Sequence, residues 1–344
     1  MAYTTIKKPS DYFNTVLYTG NGLGTRAVTG VGFQPDLVWI KQRSDNSSNV
    51  LFDVIRGVTK YVKSDSTAIE ATAANSLKAF GGDGFTISDS EDVGKNNGTY
   101  ASWNWKANGT GVANTDGSIS STVSANTTSG FSIVSYTGTG ADDTVGHGLG
   151  VAPKMIITKA RGTTNNWGIY HESLGNNDAV FLNLTNGTND YAGYWNTTTP
   201  TSSVFSVGVS PDTNSSATMI AYCFADVQGF SKFGSYIGNG SATDGTFCYT
   251  GFKPSYVIIK QTNTAGESWV IKDNKRGAFN QNNPTLFANL NSAESNREYI
   301  DFLSNGFKCR DNSSAFNASG SSYIYMAFAE APLVGPNNTP CTAR

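Results

Sequence analysis

Histidine residues are the first place to look for acid–base, nucleophilic or metal chemistry, and this chain has only two, His147 and His171. A Ser/His/Asp triad needs a histidine beside an activated serine, often in a Gly-x-Ser-x-Gly turn, and the sequence contains no such turn. A metal site on these two histidines would join distant parts of the chain without any recognisable ligand spacing. We therefore interpret both as structural or surface loop histidines.

Paired carboxylates are the second kind of reactive group, because glycoside hydrolysis needs two of them flanking the scissile bond. All candidates lie in polar, loop-like segments, where a solvated acidic surface is the ordinary explanation. An alternative for Ser88–Asp92 is a calcium loop, since oxygen ligands alternate there, although the full calcium-loop pattern is missing. The sequence thus predicts no catalytic residue, no cofactor and no metal site. The carboxylates considered are Asp142 with Asp143, Asp89 with Glu91 and Asp92, and Glu294 with Glu298.

Three aromatic residues, Tyr191, Tyr194 and Trp195, lie in a Gly/Asn-rich stretch at 189–196. Carbohydrate contact needs a flat apolar face beside side chains that form hydrogen bonds, and this stretch offers both. The alternative is a segment that buries its aromatic rings in a core. The sequence leaves both interpretations open, so these three residues are the candidate glycan contact.

A glycine-rich pentapeptide that resembles part of a phosphate-binding loop occurs three times. No helix follows it in any copy, which argues against phosphate binding and favours a turn between strands. The three copies are Tyr18-Thr-Gly-Asn-Gly22, Tyr136-Thr-Gly-Thr-Gly140 and Tyr236-Ile-Gly-Asn-Gly240.

The pentapeptide is the first of several signatures that return in the same order, which indicates an internal triplication. A proline-led strand follows each turn, and Pro35, Pro153 and Pro254 keep the same spacing to a lysine downstream. Later signatures are a strand ending at a glycine turn, a strand centred on phenylalanine, and a last aromatic strand. The lysines are Lys41, Lys159 and Lys260, and the phenylalanines are Phe85, Phe205 and Phe307.

These signatures divide the chain into repeats, a linker and two ends. A Gly/Asn/Ser/Thr-rich stretch between the first two repeats is typical of a flexible linker, whereas the second and third repeats are joined by only a few residues. We therefore expect repeats two and three to form a rigid pair, with repeat one mobile or docked elsewhere. The predicted parts are an arm (1–9), repeat 1 (10–107), the linker (108–129), repeat 2 (130–226), repeat 3 (229–332) and a tail (333–344).

Within each repeat, short β-branched and aromatic runs alternate with Gly, Asn, Asp and Pro turns, which predicts strands. The fold class is therefore all-β: three tandem β-sandwich domains, possibly jelly-roll-like, each with its own core. The segment Ser66–Lys78 is the one modest candidate for a helix. Trp39, Trp167 and Trp269 lie in strand patterns and are predicted to be core anchors rather than a ligand platform.

Composition excludes several classes of protein. The net charge is −2 and only 15% of residues are charged, without a basic block, so we expect no nucleic-acid partner. No apolar run is long enough to predict membrane insertion, and the polar start gives no sign of a cleaved leader. Aromatic residues at 12% argue against disorder. The cysteines have no metal spacing, and three of them, Cys223, Cys248 and Cys309, lie in strand-like segments that predict buried free thiols.

The signatures together resemble a repeated domain found in virion and tail-region proteins of tailed bacteriophages, notably phages of marine bacteria. The resemblance covers residues from about 10 to 330 and is closest in repeats one and two. It supplies no catalytic residues. The motifs that carry it are Tyr18–Gly22, Gly32–Arg43, Asp53–Gly57, Tyr100–Trp105 and Gly146–Pro153.

This resemblance implies a non-enzymatic structural protein on the exterior of a virion, made in the host bacterial cytoplasm. Its expected partners are other virion proteins of the tail or capsid, further copies of itself, and a host cell-surface glycan. A tail appendage or fibre protein that contacts the host is the first interpretation. A capsid decoration protein is the second, and a glycan-cleaving enzyme is a third, from a different class.

Overall fold

The computed structural model describes residues 3–277, 280–335 and 340. Strands account for 44% of the chain and helix for 2%, which confirms the all-β prediction. In this described part of the chain, no helix is both long and apolar enough to cross a membrane.

The first segment, residues 10–107, forms a six-stranded sheet and a three-stranded sheet, all antiparallel. A short 3-10 turn, Pro9–Asp11, leads into it. The strand order is β1-β9-β3-β4-β5-β6 in the large sheet and β2-β8-β7 in the small one. The strands are β1 (Phe13–Thr19), β2 (Arg26–Thr29), β3 (Leu37–Gln42), β4 (Val50–Asp53), β5 (Lys60–Lys63), β6 (Ala71–Thr72), β7 (Leu77–Gly81), β8 (Gly84–Ile87) and β9 (Thr99–Trp105).

The second segment, residues 108–226, has an eight-stranded sheet in the order β10-β11-β12-β19-β14-β15-β16-β17 and a two-stranded sheet, β13-β18. One helical turn, α1 (Pro211–Asn214), precedes its last strand. The strands are β10 (Val112–Asn114), β11 (Ser121–Asn126), β12 (Phe131–Thr137), β13 (Asp143–Gly146), β14 (Met155–Ala160), β15 (Gly168–His171), β16 (Asp178–Phe181), β17 (Asn189–Asp190), β18 (Val204–Val207) and β19 (Thr218–Phe224).

The third segment, residues 229–332, bends a single eight-stranded sheet around its core, in the order β20-β27-β22-β23-β24-β25-β26-β21. The strands are β20 (Ser231–Ile237), β21 (Phe247–Tyr249), β22 (Phe252–Gln261), β23 (Val270–Asp273), β24 (Asn282–Phe287), β25 (Ser295–Leu303), β26 (Gly306–Cys309) and β27 (Ser322–Pro332).

A five-stranded sheet with one common strand order lies in every segment. It is β1-β9-β3-β4-β5 in the first, β12-β19-β14-β15-β16 in the second and β20-β27-β22-β23-β24 in the third. The proline-led strand lies at the centre of each. Because these central strands are continuous apolar runs, both faces of the sheet are buried, and β3 and β14 are buried along their whole length.

The two faces of each sheet serve different cores. Alternate residues point to opposite faces of a strand, so Leu37 and Trp39 face one core while Val38 and Ile40 face another. The outer face packs under the remaining strands of the same segment, as a sandwich does. The inner faces of all three segments meet in one central core. Its members include Leu37, Trp39, Trp103, Ile157, Trp167, Tyr222, Tyr256, Trp269 and Met326.

The shared core corrects the expectation of three self-contained units, and of the two alternatives for repeat one, mobile or docked, it favours the docked one. The accessible surface of the chain is 12027 Å². One globular protein of 36.5 kDa exposes about 13,500 Å², whereas three separate bodies of a third that mass expose about 18,000 Å² together. The three segments therefore form a single compact body, because their aromatic inner faces can be buried only against one another.

Residues 108–129, predicted to be a flexible linker, form strands instead. β11 pairs with β12 along its length and β10 pairs with β11. Ile119 and Val123 are buried in the outer core of the second segment. Ser121, Val123 and Ala125 are alternate residues that point to the same face, which is the pattern of a half-buried strand. The Gly/Asn/Ser/Thr composition suggested a linker instead.

The predicted helix differs from the structure, and the predicted arm is packed against the rest of the chain. Residues 66–78 contain β6 and the start of β7, without a helix, because strand pairing outweighs the weak helical pattern. The arm is docked from Tyr3 onward: Ile6 is buried in the central core, and the Tyr3 hydroxyl donates to the Gly251 carbonyl at 2.5 Å. Most of the tail, 336–339 and 341–344, lies outside the described residues.

The repeated glycine pentapeptide forms a turn at all three places, and its two glycines are required for different reasons. A Cβ on Gly20, Gly138 or Gly238 would lie 2.1–2.3 Å from a backbone oxygen, so no other residue fits there. Gly22, Gly140 and Gly240 have φ between +64° and +71°, a conformation that glycine adopts at little cost. In each segment the pentapeptide connects two strands that do not pair with each other, so it is a turn between strands but not a hairpin.

Candidate binding site at the segment interfaces

The three segments contact one another in a cyclic order, so each pair has an interface of its own: 1–2, 2–3 and 3–1. Three buried lysines mark these interfaces. Each is the lysine of the repeated signature, and each ammonium donates to backbone carbonyls of the neighbouring segment. Lys41 reaches Asn291 O at 2.9 Å, Lys159 reaches Thr67 O at 3.0 Å, and Lys260 reaches Thr185 O at 3.3 Å.

Burial lowers the pKa of all three lysines to about 8, and neighbouring carboxylates oppose this only in part. Each ammonium also donates to carbonyls of its own segment, for example Lys159 to Asn165 at 2.8 Å. Carbonyl oxygens thus replace the water that a charged amine loses on burial. The three lysines therefore connect neighbouring segments and are not exposed reactive amines.

A backbone hydrogen bond repeats beside each lysine. The N–H of Glu70 donates to Arg161 O at interface 1–2, and the N–H of Glu294 donates to Arg43 O at interface 3–1, both at 2.9 Å. At interface 2–3, the N–H of Thr188 donates to Thr262 O at 2.7 Å. The three interfaces therefore share one backbone geometry, and their side chains can be compared position by position.

Two interfaces carry matched ion pairs at these positions. At interface 1–2, Arg161 binds Glu70 through two nitrogens at 2.8 and 3.0 Å. At interface 3–1, Arg43 binds Glu294 through Nε and Nη2, with the shortest distance 2.7 Å. Such two-point pairs fix the orientation of both side chains.

Fully buried ion pairs lie deeper in the same two interfaces. The Arg56 Nε donates to Asp53 at 2.5 Å, and the Tyr222 hydroxyl of the next segment donates to the same carboxylate at 2.9 Å. At the corresponding place, Arg276 donates to Asp273 at 2.6 Å and Trp103 Nε1 of the first segment donates to it at 3.0 Å.

The ion pairs control the charge states at interface 3–1. Burial by itself would raise the pKa of Asp273, but Arg276 and the hydrogen bonds from Arg276 and Trp103 hold it below its ordinary value. Burial acts on Glu294 in the same direction, and the hydrogen bonds and charges of Arg43 and Arg276 lower its pKa. Both carboxylates are therefore charged at neutral pH.

Interface 2–3 has neutral residues at all four of these positions. Thr188 and Thr262 stand where the other interfaces have the Glu–Arg pair, and His171 and Leu174 stand where they have Asp and Arg. Burial lowers the pKa of His171 to about 4, so the ring is uncharged at neutral pH. Its Nδ1 accepts from the Ser173 N–H at 3.2 Å, which leaves Nε2–H to donate to the Tyr325 carbonyl at 3.3 Å.

An open groove of about 520 Å³ lies at interface 2–3, on the outside of these neutral residues. We call it the 2–3 groove. Its walls come from the start of β16 and the loop before it, and from β20, β27 and the end of β22. At interface 1–2 the corresponding volume is occupied: the Arg161 guanidinium lies 3.3 Å from Ser135, whose counterpart Ser235 lines the 2–3 groove.

The candidate glycan contact at 191–195 is only partly available to a ligand. Tyr194 and Trp195 are 5% and 1% exposed, so the prediction that they contact a glycan is wrong for these two. Trp195 Nε1 donates to the Asp178 carbonyl and its ring packs edge-on against Tyr170 in the outer core. Tyr191 is 47% exposed. It follows Asp190, the strand partner of Asp178, on the hairpin that forms one wall of the 2–3 groove.

Several of the candidate carboxylates are engaged by neighbouring cations or hydroxyls. Glu294 is held between two arginines, and the side chain of Glu298 lies outside the described residues. Asp143 accepts from the Thr139 and Ser118 hydroxyls, which lower its pKa. Glu91 pairs with Lys95 at 3.0 Å. Within residues 3–277, 280–335 and 340, no three His, Cys, Asp or Glu side chains converge as a metal site would require.

Both histidines are buried and structural. His147 Nδ1 accepts from the Leu149 N–H at 3.2 Å, so its Nε2–H faces the Thr201 carbonyl, also at 3.2 Å. Burial lowers its pKa. The three cysteines of the strand-like segments, Cys223, Cys248 and Cys309, are buried and free, as predicted. Cys341 lies outside the described residues.

The sequence alone did not identify the interface residues as candidate functional residues. The lysines were visible as part of the repeated signature, but nothing local shows that they reach a different segment. A sharper signal was also present: at one aligned position the repeats have Asp53, His171 and Asp273. The change of charge at this position marks the interface that differs, and here it is the one with the groove.

The fold and site define an all-β protein in which three sandwich-like segments close around a shared aromatic core and leave one groove at their neutral interface. The chain belongs to the family described as "Domain of unknown function (DUF7483)", which matches residues 8–332. A search of curated proteins and a search of solved structures each found no match.

Proposed function

We propose that the chain is a non-enzymatic structural protein on the exterior of a tailed bacteriophage particle, where it serves as a tail appendage or fibre protein that contacts the host surface. In this proposal, the three segments are tandem repeats of one β-sandwich domain, arranged around a pseudo-three-fold axis. Its partners are other virion proteins, further copies of the chain and a host cell-surface glycan.

The closed arrangement of the segments is the observation that carries the proposal. The lysines of the second and third segments donate to the preceding segment, and the lysine of the first segment donates to the third, so the ring closes within one chain. Ring closure leaves no segment free to move independently of the other two. A rigid body with three similar sides suits a particle whose tail and capsid are built on rotational symmetry.

An exposed apolar edge supports a contact with neighbouring virion proteins. β21 is the last strand of its sheet, and its alternate residues Phe247 and Tyr249 are 44% and 56% exposed. Unpaired strand edges with apolar side chains favour pairing with another chain. A protein that assembles into a particle uses such an edge, whereas a free protein gains nothing from it.

Capsid decoration is the second candidate, and the compact shape favours it. The accessible surface of 12027 Å² is below that of an average globular protein of the same mass. A fibre is long relative to its width, whereas a decoration protein is a compact body on a flat lattice. The two candidates differ in location on the particle and not in the chemistry of the chain.

Gold-labelled antibody against the chain, applied to particles of the phage that encodes it, tests the proposal by electron microscopy. Label at the tail supports the tail appendage or fibre, and label over the head supports decoration. Particles without label, together with absence of the chain from their protein composition, would overturn both.

The non-enzymatic part of the proposal has its own test. The purified chain is incubated with host surface polysaccharide, and new reducing ends are measured over time. We expect none above the rate without protein. Sustained release that disappears in a single Asp or Glu variant would identify an enzyme instead.

A further inference from the structure

The 2–3 groove exists because three side chains are shorter than their counterparts at the other two interfaces. At interface 1–2, Glu70 and Arg161 extend towards each other across the join, and Arg56 lies beneath them 3.7 Å from Glu70. At interface 2–3, the counterparts Thr188, Thr262 and Leu174 are shorter, while the backbone hydrogen bond is retained. The volume of the missing side chains remains open to solvent.

The polar groups in this groove are suited to hydroxyl-rich ligands. Ser173, Thr188 and Ser235 present hydroxyls, Asn263 presents an amide, and Asp178 presents a carboxylate. Hydroxyls and amides both donate and accept, which is what sugar hydroxyls require of their partners. Within the described part of the chain, the Ser173 and Ser235 hydroxyls and the Asp178 carboxylate have no hydrogen-bond partner.

Apolar surface completes the groove. Leu174 and Ile237 lie among the polar groups, and Ile237 is 57% exposed. Sugar rings have apolar faces between their hydroxyls and need both kinds of contact.

We propose that the 2–3 groove binds a segment of a neutral oligosaccharide, with Ser173, Asp178, Ser235 and Asn263 contacting its hydroxyls. The volume of about 520 Å³ is in the range of small-ligand sites and accommodates a short oligosaccharide segment rather than a whole chain. The choice of carbohydrate rests on the proposed contact with a host surface.

Charge selects against acidic sugars. Asp178 faces the groove and Asp190 is its strand partner, and their mutual repulsion adds to burial in raising the pKa of Asp178. No arginine or lysine is among the described residues that line the groove. A uronic acid or a phosphorylated sugar would therefore meet like charge without a compensating cation.

Saturation-transfer NMR and calorimetry on the purified full chain test this inference. The probes are four neutral tetrasaccharides, maltotetraose, isomaltotetraose, cellotetraose and mannotetraose, with acidic tetragalacturonate for comparison. We expect at least one neutral probe to bind and tetragalacturonate not to bind. If none of the neutral probes binds, or if tetragalacturonate binds equally well, the inference is wrong.

A double variant locates the binding. Thr188→Glu with Thr262→Arg installs the Glu–Arg pair of the other interfaces and fills the groove, so it should weaken binding by at least about tenfold. The matched control, Ser120→Glu with Thr122→Arg, adds the same charges at exposed positions away from the groove and should bind normally. Unchanged binding in the filled variant would contradict the proposed location.

A second variant guards against misfolding of the first. Ser235→Trp places a large ring at the exposed rim of the groove without changing the interface, and it should weaken binding to a similar extent. The particle-labelling experiment is independent of these results. Label on particles without glycan binding would refute the groove inference alone, whereas glycan binding without label on particles would refute the proposed location of the protein.

Discussion

Interfaces 1–2 and 3–1 are charged, whereas interface 2–3 is neutral, although all three share a buried lysine and the same backbone hydrogen bond. The comparison distinguishes the contacts that all three interfaces share from the ion pairs that only two of them have. Apolar burial and the buried lysines are common to all three interfaces, and interface 2–3 forms with them and without ion pairs at these four positions. The ion pairs are present only where their carboxylates and guanidinium groups satisfy one another, because a buried charge without a partner is costly.

The neutral interface shows the structural consequence of losing the ion pairs, which is an open groove. His171 and Leu174 replace a buried Asp–Arg pair without leaving an uncompensated charge, since the ring of His171 is neutral at physiological pH. Replacing Glu and Arg by threonines then opens the groove. Four differences, three in the second segment and one in the third, thus distinguish the candidate binding site from the two charged interfaces.

The largest effect is expected where an ion pair is broken from one side. Arg276→Leu leaves the buried carboxylate of Asp273 without its cation and should destabilise the chain by about 3–5 kcal/mol. The double variant Asp273→His with Arg276→Leu introduces the neutral pair of interface 2–3 and should recover most of the lost free energy of unfolding. Urea unfolding followed by tryptophan fluorescence measures both. Equal losses in the single and double variants would show that the interfaces are not interchangeable.

Tryptophan truncation compares the apolar contribution of two interfaces. Trp269 is 1% exposed and donates to the Phe181 carbonyl across interface 2–3 at 2.8 Å, so Trp269→Ala should cost about 4 kcal/mol. Asn49 holds the corresponding place at interface 3–1, and Asn49→Ala should cost only about 1–2 kcal/mol, the value of its hydrogen bonds. Exposed Tyr191→Ala is the control, with a change within about 0.5 kcal/mol. Unchanged thermal unfolding of Trp269→Ala would contradict its role as an anchor.

Acid should weaken the neutral interface first. The pKa of His171 is about 4 in the folded chain and about 6.5 when unfolded, so the unfolded state binds the extra proton between these values. Stability therefore falls as the pH drops from 6.5 to 4, by roughly 3 kcal/mol in total from this residue. Burial is the cause of the lowered pKa and Lys232 adds to it, while the Tyr325 carbonyl and Glu172 oppose it.

The charged interface should respond to acid later. Asp273 and Glu294 have lowered pKa values, so their contribution is complete above about pH 4–5 and is lost only below it. Unfolding free energies of the parent chain and of His171→Gln, measured at pH 7 and pH 4.5, separate the two. The variant should lose less stability between these pH values. Identical losses would place the acid sensitivity elsewhere, with His147 the first residue to examine.

The smallest effect is expected for the outer ion pairs, because they are partly exposed. A double-mutant cycle on Arg161→Ala and Glu70→Ala should give a coupling free energy of about 1 kcal/mol. The same cycle on Thr262→Ala and Thr188→Ala should give a value near zero, since the hydrogen bond from the Thr188 side chain goes to the backbone of Thr262. Equal couplings in the two cycles would remove the distinction between the interfaces.

Local patterns were enough to predict the strands, the repeated turn and several buried residues. Pro35 and Pro153 directly precede the segments that form central strands, Pro254 lies within one, and Lys41, Lys159 and Lys260 each lie near the end of theirs. Trp39, Trp167 and Trp269 are buried as expected. The prediction of a linker at residues 108–129 is wrong, because the alternation of side chains there specifies strands despite the polar composition. The prediction for Tyr194 and Trp195 is wrong because local sequence does not distinguish burial against a core from exposure on a loop.

By itself, the sequence determined that the chain is all-β, that its signatures occur three times, and which residues alternate towards a core, because these properties depend on neighbours along the chain. Only the tertiary structure decided that the inner faces share one core, that Lys41 joins the first segment to the third, and that Thr188 and Thr262 leave a groove between them. The physical reason is that each of these contacts joins residues from different segments. Their pairing follows from the shapes of whole packed sheets, and no local spacing encodes it.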